Sequence, residues 1–516
     1  MVENSEKFLD LYPNRSMLMA PSALGNVSWP NKITLPADLN YYITHKIWEY
    51  ISDHDDDIAD CLSCIMYITG AISYNISFFS LAKSRDFKSG GGVLFSVNFS
   101  YSDLFAYSSP YSRRDLKVKG MIKGFISRIY NRVNILKASF VSGVPVLTIT
   151  NDRIVQDMCG APVLLRNPTS IISRSERPSR SGNTQKIDQC AGILSSFVSE
   201  AIESSGVEVD NKFRDLIEDY ISIEVSKVFA DLSKVKRFFK GRKFHLVERS
   251  LSPYLISLFA AVCRRNGGQV HSTYHGVCQT ANEPDISTMI NSSVFWGVSE
   301  AFCDDANALI KRLPPGVDRK KIKNLDLKGL QDRFLRANVL RKKIKHVAIM
   351  GRQVVMRYSA FNTLEFPAYL KLERDVAIWL LKNGYKVTYK AHPESDWRHF
   401  DTYLPEGVLI DWEPFEEVVD QYDAFFYHFG ASSTLPAALG SGAHVFMLKD
   451  GWHDVKLWPP RLQAYFEIYC NMVSAQLSQQ DFISLDYAEL ERKLREPAEV
   501  SVYDRIYDFY YRREFS

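Results

Sequence analysis

Two short polar motifs in the last third of the chain each follow a run of residues typical of a strand. The first ends in His392 and Pro393, and the second is Ser432, Ser433 and Thr434. An imidazole can donate a hydrogen bond to a phosphate oxygen, and hydroxyl and free N–H groups at the start of a helix attract anions. Because phosphate-bearing ligands bind at strand ends of an α/β sheet, the motifs predict a site for a nucleotide-activated donor. The alternatives are a structural histidine and a plain helix N-cap.

A third polar group follows the first predicted strand of the same unit. Arg352 comes directly after the run 345–350 and Gly351. A guanidinium in this loop could bind the phosphate of the donor or a carboxylate on its sugar. A surface salt bridge is the alternative.

Candidate catalytic residues come from the first part of the chain. Glu248 ends a predicted strand, and His275 begins a loop that also contains Glu283 and Asp285. Transfer to a hydroxyl needs a base if configuration at the transferred carbon inverts, and each of these side chains could act as one. Carboxylates at strand ends also serve as helix caps or ion-pair partners, which is the alternative for each of the three acids.

The acidic residues elsewhere do not form a metal-ligand pattern such as Asp-x-Asp between two apolar runs. Asp55, Asp56 and Asp57 precede an apolar helix, and negative charge is favoured at such a helix start. We therefore predict transfer without a metal, and no cofactor besides the nucleotide-linked donor.

The elements that must position these residues alternate between strands and helices. Short β-branched or aromatic runs predict strands at 92–98, 144–150, 243–248, 269–274, 293–298, 345–350, 385–390, 408–411, 424–428 and 444–448. Helical patterns occupy 211–229, 254–265, 369–381 and 414–419. Parallel strands joined by crossover helices are the simplest arrangement. The sequence thus predicts an α/β fold of two Rossmann-like domains that face a central cleft.

The length of 516 residues also exceeds what one core supports. We place an acceptor-side α/β domain with helical additions at 1–335 and a Rossmann-like domain that binds the donor at 336–500. The basic stretch 321–345 would connect them. The tail, 501–516, is predicted to pack back on the first domain.

Composition and charge limit the classes of partner and the cell compartment that the sequence favours. A net charge of +3 is too small to indicate nucleic acid, and eight scattered cysteines fit reduced thiols of the cytosol. The uncharged stretch Cys61–Ala82 would nearly span a bilayer, but its polar residues and Gly70 favour a buried helix-turn-helix. The same interpretation covers the Cys61/Cys64 pair. The polar first residues predict no signal peptide.

One further surface is notable for its composition. Lys234–Lys243 combines basic and aromatic residues and could attract anionic lipid or an anionic acceptor. A solvated loop is the alternative. We expect a cytoplasmic protein and leave open a peripheral contact with the inner face of the membrane.

The pair of motifs resembles the C-terminal half of GT-B glycosyltransferases and related transferases of bacterial surface polysaccharide synthesis. The group uses cytidine-activated donors and includes Kdo transferases, sialyltransferases, polysialyltransferases and CDP-glycerol glycerophosphotransferases. The resemblance covers residues 345–455. It implies that the cytidine phosphate is held by His392, Pro393, Ser432, Ser433 and Thr434.

Two further roles follow from the same resemblance. Glu413 comes just after the run 408–412, where GT-B enzymes often read the base or ribose. The His275-Gly276 pair looks like the His-Gly loop of the glycerophosphotransferases, and Gly276 would let the backbone approach a ligand closely.

The resemblance therefore implies a glycosyltransferase that takes a sugar from a CMP-activated donor, with Kdo ahead of sialic-type sugars. The acceptor would be a capsule, lipopolysaccharide or other surface glycan, free or lipid-linked. The alternatives are a CDP-glycerol or polyol phosphotransferase, a non-catalytic nucleotide-binding protein, and a two-domain sugar-nucleotide epimerase.

Overall fold

A computed structural model gives the architecture of the chain. It describes residues 35–66, 68–73, 75, 76, 88, 89, 92, 93, 127, 129–139, 143–149, 158, 162–165, 168–172, 184–251, 254–273, 288–311, 322–351, 372–393, 395, 404–428, 432–449, 458–477 and 483–515.

Six parallel strands form a sheet in the first part of the chain, in the spatial order β4-β3-β5-β6-β7-β8. Their bounds are β3 Val146–Thr148, β4 Val163–Leu164, β5 His245–Glu248, β6 Val270–Ser272, β7 Val294–Gly297 and β8 Ile322–Asn324. From β3 the chain moves to one side for β4 and to the other for β5. The carboxyl ends of β3 and β5 therefore flank a topological switch point, where open α/β sheets bind ligands.

A second sheet of six parallel strands follows, in the order β11-β10-β9-β12-β13-β14. The bounds are β9 His346–Met350, β10 Lys386–Lys390, β11 Leu409–Asp411, β12 Ala424–Tyr427, β13 His444–Leu448 and β14 Asn471–Val473. This is the 3-2-1-4-5-6 order of the Rossmann fold, with its switch point between β9 and β12. The predicted fold class, α/β with two Rossmann-like units, is confirmed.

The predicted strand at 92–98 differs from the others. Its described residues, β2 Gly92–Val93, pair antiparallel with β1 Lys88–Ser89 and lie outside both parallel sheets. A second antiparallel pair, β15 Ala475–Leu477 and β16 Ile483–Leu485, follows β14.

Helices join these strands. Those of the first part are α1 Leu35–Asp53, α2 Asp57–Ile65, α3 Thr169–Ile172, α4 Thr184–Ser205, α5 Asn211–Phe239, α6 Tyr254–Arg265 and α7 Glu300–Ile310. Those that follow are α8 Leu330–Phe334, α9 over 372–382, α10 Phe415–Val418, α11 Leu435–Gly440, α12 Pro460–Tyr469, α13 Tyr487–Arg495 and α14 Val502–Tyr511. Further helical residues are 68–73, 75, 76, 127, 129–139 and 288–291.

The tract Lys234–Lys243 is not a solvated loop over most of its length. It forms the last turns of α5, because Val235, Phe238 and Phe239 recur at helical spacing and are buried. The helix ends at Lys240 and Gly241, which both have a positive φ. Lys234 and Lys236 are half-buried and pair with Asp231 and Asp57. The other basic side chains of the tract are exposed: Arg237, Lys240, Arg242 and Lys243.

The described residues of the stretch that begins at Cys61 are mostly buried, as predicted. Asp56 caps α2 by accepting hydrogen bonds from the backbone N–H groups of Ile58 and Ala59, which confirms that the acidic cluster starts a helix. Cys61 and Cys64 are buried free thiols in the main core of the first part. Among the helices that the structure describes, none is both long and apolar enough to cross a membrane.

Helix α14 connects the two sheets through its neighbours. It contacts α7 of the first part and α8, α11 and α12 of the second. Arg461 of α12 forms a bidentate ion pair with Asp305 of α7, at 2.9 and 3.0 Å from Nε, and both side chains are buried. Nη1 of Arg461 donates to the carbonyl oxygens of Phe509 and Arg512, at 3.2 Å each. The predicted domain boundaries stay predictions.

Candidate functional site

The carboxyl ends of β9, β10 and β12 lie side by side at the switch point of the second sheet. Gly351 follows β9, and its N–H donates to the carbonyl oxygen of Lys390 at the end of β10, at 3.0 Å. A Cβ at this glycine would collide with the ring of Tyr389. The close approach needs a residue without a side chain, which explains why glycine ends β9.

A buried group that the sequence analysis missed lies at the same edge. Glu373, near the start of α9, accepts a hydrogen bond from the Tyr389 hydroxyl at 3.0 Å. Its other carboxylate oxygen is 2.6 Å from Nε2 of His428, the residue directly after β12. All three side chains are buried. The contacts join the ends of β10 and β12 across β9, so they hold the edge of the switch point in one geometry.

The predicted donor motif after β12 forms a chain of hydroxyl contacts. The hydroxyl of Tyr427 is 2.9 Å from Oγ1 of Thr434, which is 2.6 Å from Oγ of Ser432. The backbone N–H of Thr434 donates to the same Ser432 oxygen at 3.3 Å. Ser433 is exposed. The predicted helix begins at Leu435 but is only six residues long.

The predicted donor motif after β10 lies at the neighbouring strand end. His392 is half-buried, its carbonyl oxygen accepts from the backbone N–H of Ser395 at 3.0 Å, and Pro393 is exposed. The structure thus brings both predicted motifs to one edge of one sheet, on neighbours of β9. Whether they bind a donor stays a prediction.

A buried lysine organises the strand end next to that motif. Nζ of Lys390 donates to the carbonyl oxygens of Asp411 and Glu413 and lies 3.7 Å from the Asp411 carboxylate. Burial lowers the pKa of Lys390, and Asp411 opposes that shift. The Asp411 carboxylate also accepts from the hydroxyl of Tyr422 and the backbone N–H of Glu413. The lysine and this aspartate therefore fix the loop that presents the exposed Glu413 side chain.

Glu248 lies at the switch point of the first sheet. Its side chain is buried, and Oε1 accepts hydrogen bonds from Oγ1 of Thr148, at 3.2 Å, and from the backbone N–H of Ile149. Both donors belong to the end of β3, so the carboxylate ties β5 to β3. This arrangement fits a residue that positions the strand ends better than one that meets an acceptor directly.

The other predicted site residues lie outside the described residues: His275, Glu283, Asp285 and Arg352. Within the described residues, no group of three or more His, Cys, Asp or Glu side chains could hold a metal ion. Transfer without a metal stays a prediction.

Comparison with known proteins adds a distant structural likeness. No protein-family model and no curated protein matches the chain. Among solved structures, the crystal structure of a protein assigned as a UDP-N-acetylglucosamine 2-epimerase from Listeria monocytogenes superposes with a TM-score of 0.34 and 10% sequence identity. The match covers 71% of this chain and 95% of that one. A likeness this distant carries no argument about activity.

The residues that sequence reasoning missed had partial signals. Lys390 lies two residues before His392, at the end of a predicted strand, and an ammonium group buried there would need acceptors. His428 directly follows a predicted strand, as His392 does. Glu373 gave no such sign, because its partner is 55 positions away in the chain.

Proposed function

We propose that this protein is a glycosyltransferase that binds a CMP-activated sugar at the carboxyl edge of its second sheet. The observation that carries the proposal is the 3-2-1-4-5-6 strand order, with polar side chains at the ends of the strands around the switch point. Open sheets with this order bind nucleotides at that edge. The choice of cytidine rests on the resemblance of the two motifs to transferases that use cytidine-activated donors.

In the proposed complex, hydroxyl and imidazole groups bind the donor phosphate. Ser432 and Thr434 follow β12, His392 follows β10, and Ser433 and Pro393 stand in the same two loops. Arg352, after β9, would add a positive charge against the phosphate or the sugar carboxylate. The Glu413 loop, fixed by Lys390, would contact the base or ribose.

The proposed reaction joins the acceptor to the anomeric carbon of the sugar. A base takes the proton of the acceptor hydroxyl, the new C–O bond forms, and the bond from the anomeric carbon to the phosphate oxygen breaks. CMP leaves with that electron pair. His275, Glu283 and Asp285 are the candidates for the base, and Glu248 positions the ends of β3 and β5.

The donor sugar is proposed to be acidic, with Kdo ahead of sialic-type sugars, and the acceptor a surface glycan or its lipid-linked precursor. A CDP-glycerol or polyol phosphotransferase is the second candidate, because His275-Gly276 looks like the loop of that group.

Nucleotide binding is the first test. The melting temperature is measured with CMP, CDP, UDP and GDP, and a ligand at 100 times its Kd stabilises the fold by about 2.7 kcal/mol. We expect stabilisation by the cytidine nucleotides alone. Stabilisation by UDP alone would overturn the donor assignment, and no stabilisation by any of the four would overturn the site.

Turnover is the second test. CMP release is measured with CMP-Kdo and, separately, with CDP-glycerol, each with and without a glycan acceptor. Release with CMP-Kdo supports the first proposal, and release with CDP-glycerol supports the second. If the protein binds CMP but neither donor gives CMP release, both transferase proposals are wrong and the protein is a nucleotide-binding protein without this activity.

A matched pair of variants links both tests to the site. Thr434→Val removes the hydroxyl between Tyr427 and Ser432 and should weaken CMP binding. Ser233→Ala removes an exposed hydroxyl on α5, which donates to the carbonyl oxygen of Phe229, and should leave CMP binding unchanged.

A further inference from the structure

The helical segment 129–139 exposes an unusual amount of apolar surface. The side chains of Ile129, Tyr130, Val133 and Leu136 are 49%, 38%, 43% and 37% exposed. Single exposed apolar residues are ordinary on a protein surface. Here four lie within eight consecutive positions of one helix. Clustered exposed apolar side chains are typical of interaction sites.

The patch has the geometry of an amphipathic helix turned outward. At roughly 100° per residue, Ile129, Val133 and Leu136 fall within about 60° of arc on the exposed face. The opposite side holds Asn131 and Ile135, which are buried in the protein. One side of the segment therefore packs into the core of the first part, and the apolar stripe on the other side is exposed.

Positive charge flanks the stripe on both sides. Lys137, together with Tyr130, borders it on one side, and Arg132 borders it on the other. Residues 129–139 include no Asp or Glu, and both of their basic side chains, Arg132 and Lys137, are exposed. This face of the helix thus combines an apolar centre with cationic edges.

A second basic surface adjoins the first. The guanidinium of Arg132 lies over the ring of Phe238, 5.2 Å from its centroid, near the end of α5. Exposed cations surround that helix end: Arg237, Lys240, Arg242 and Lys243. None of these four forms a salt bridge within the part of the chain that the structure describes.

We propose that this face, residues 129–139 with the end of α5, docks on the surface of an anionic lipid bilayer. An interfacial helix inserts its apolar stripe to the level of the headgroups, while flanking Lys and Arg side chains reach anionic lipid. Cations near such a surface add to the binding in proportion to their number. A second copy of the chain fits less well, because it would set these basic edges against similar ones and because one short helix is small beside the ~800 Å² that each partner of a stable dimer buries.

The proposal is tested by vesicle flotation without any donor or acceptor. The full chain is mixed with vesicles of phosphatidylcholine alone, or of phosphatidylcholine with phosphatidylglycerol. We expect binding to the anionic vesicles, little to the neutral ones, and release by high salt because the attraction is screened. The readout does not depend on turnover, so it stands or falls separately from the proposed function.

Two variants and a control assign the binding to this face. Ile129→Gln with Leu136→Gln removes apolar surface that is already exposed, and should weaken vesicle binding by roughly tenfold or more. Lys137→Glu should weaken it by at least roughly fivefold through charge. Ile223→Gln is the matched control, because Ile223 is an exposed isoleucine on α5, at 63%, and should bind as the wild type does.

Three outcomes would overturn the proposal. They are failure of the wild type to bind anionic vesicles, undiminished binding by both variants, and a wild-type dimer that Ile129→Gln with Leu136→Gln converts to a monomer without any vesicle binding. The last result would make the face an interface between copies. Melting temperatures of all variants should lie close to that of the wild type, since each substituted side chain is exposed.

Discussion

The buried ion pair between Asp305 and Arg461 joins the two parts of the chain, and removal of one partner tests how much that contact stabilises the protein. We predict that Asp305→Ala destabilises the protein by about 3–5 kcal/mol, since removal of one partner leaves the other charge buried and uncompensated. The guanidinium would keep its bonds to the carbonyl oxygens of Phe509 and Arg512. It would still lack the carboxylate that balances its charge.

The neighbouring residue provides a matched control. Asp304, on the same helix, pairs with Arg513 at 2.6 Å, but the two side chains are 40% and 53% exposed. Exposed pairs contribute about 0–1 kcal/mol because water and salt screen them. Asp304→Ala should therefore cost several kcal/mol less than Asp305→Ala, although the two substitutions remove the same carboxylate from adjacent positions.

Urea unfolding at neutral pH measures both variants against the wild type. Fluorescence and circular dichroism should be followed together, because a chain with two sheets can unfold in more than one step. Hydrogen exchange at the amides of α14 gives a local readout, since Arg461 binds the carbonyl oxygens at the end of that helix. We expect faster exchange there in Asp305→Ala and unchanged exchange in Asp304→Ala.

A double variant separates the pair from the packing around it. Asp305→Leu with Arg461→Met should cost less than the sum of the two single substitutions, because no isolated charge remains. Equal losses from Asp304→Ala and Asp305→Ala, or strict additivity in the double variant, would refute the view that a buried ion pair joins the two parts.

Three further predictions concern other sites. Burial holds the pKa of His271 at about 4, below its ordinary 6.5, so stability present above pH 6.5 should fall by about 1–2 kcal/mol, discounted for partial exposure, between pH 6.5 and 4. His271→Phe should flatten that dependence of the urea midpoint. Gly440→Ala should cost about 1–3 kcal/mol in urea unfolding, because its Cβ would collide with the backbone of Phe334, whereas Gly192→Ala in α4 meets nothing within 4 Å and should be neutral or stabilising. Glu373→Gln should lower the free energy of unfolding in urea by about 1–3 kcal/mol, because an amide cannot accept hydrogen bonds from Tyr389 and His428 at both of its polar atoms.

The strands of both sheets could be predicted because the sequence of a buried parallel strand is a short run of β-branched and aromatic residues. His346–Met350 and His444–Leu448 were each found within a residue of their bounds. Strand order was harder to obtain, since β9 and β12 pair across more than seventy positions. The location of the donor motifs at one edge therefore followed only from the sheet topology.

Helix ends and buried polar contacts were predicted less well. The pattern that begins at Asn211 was expected to stop at Phe229, but α5 continues to Phe239 because the basic side chains on its outer face do not disturb the buried stripe. The contact of Glu373 with His428 left no pattern at all. A contact between two polar residues that are distant in the sequence produces no periodic pattern, so it cannot be predicted from residue spacing.

The bonds of Arg461 to the end of α14 have a consequence for synthesis of the chain. Asp305 emerges long before the guanidinium that balances it, and that guanidinium needs the carbonyl oxygens of Phe509 and Arg512. At ~5–20 residues per second, the stretch from 305 to 512 takes roughly 10–40 s to make. During that time the first sheet can form, but its contact surface for the second stays unfinished. A ribosome stalled in this interval would therefore hold a first part in which Asp305 still lacks the guanidinium that balances its charge.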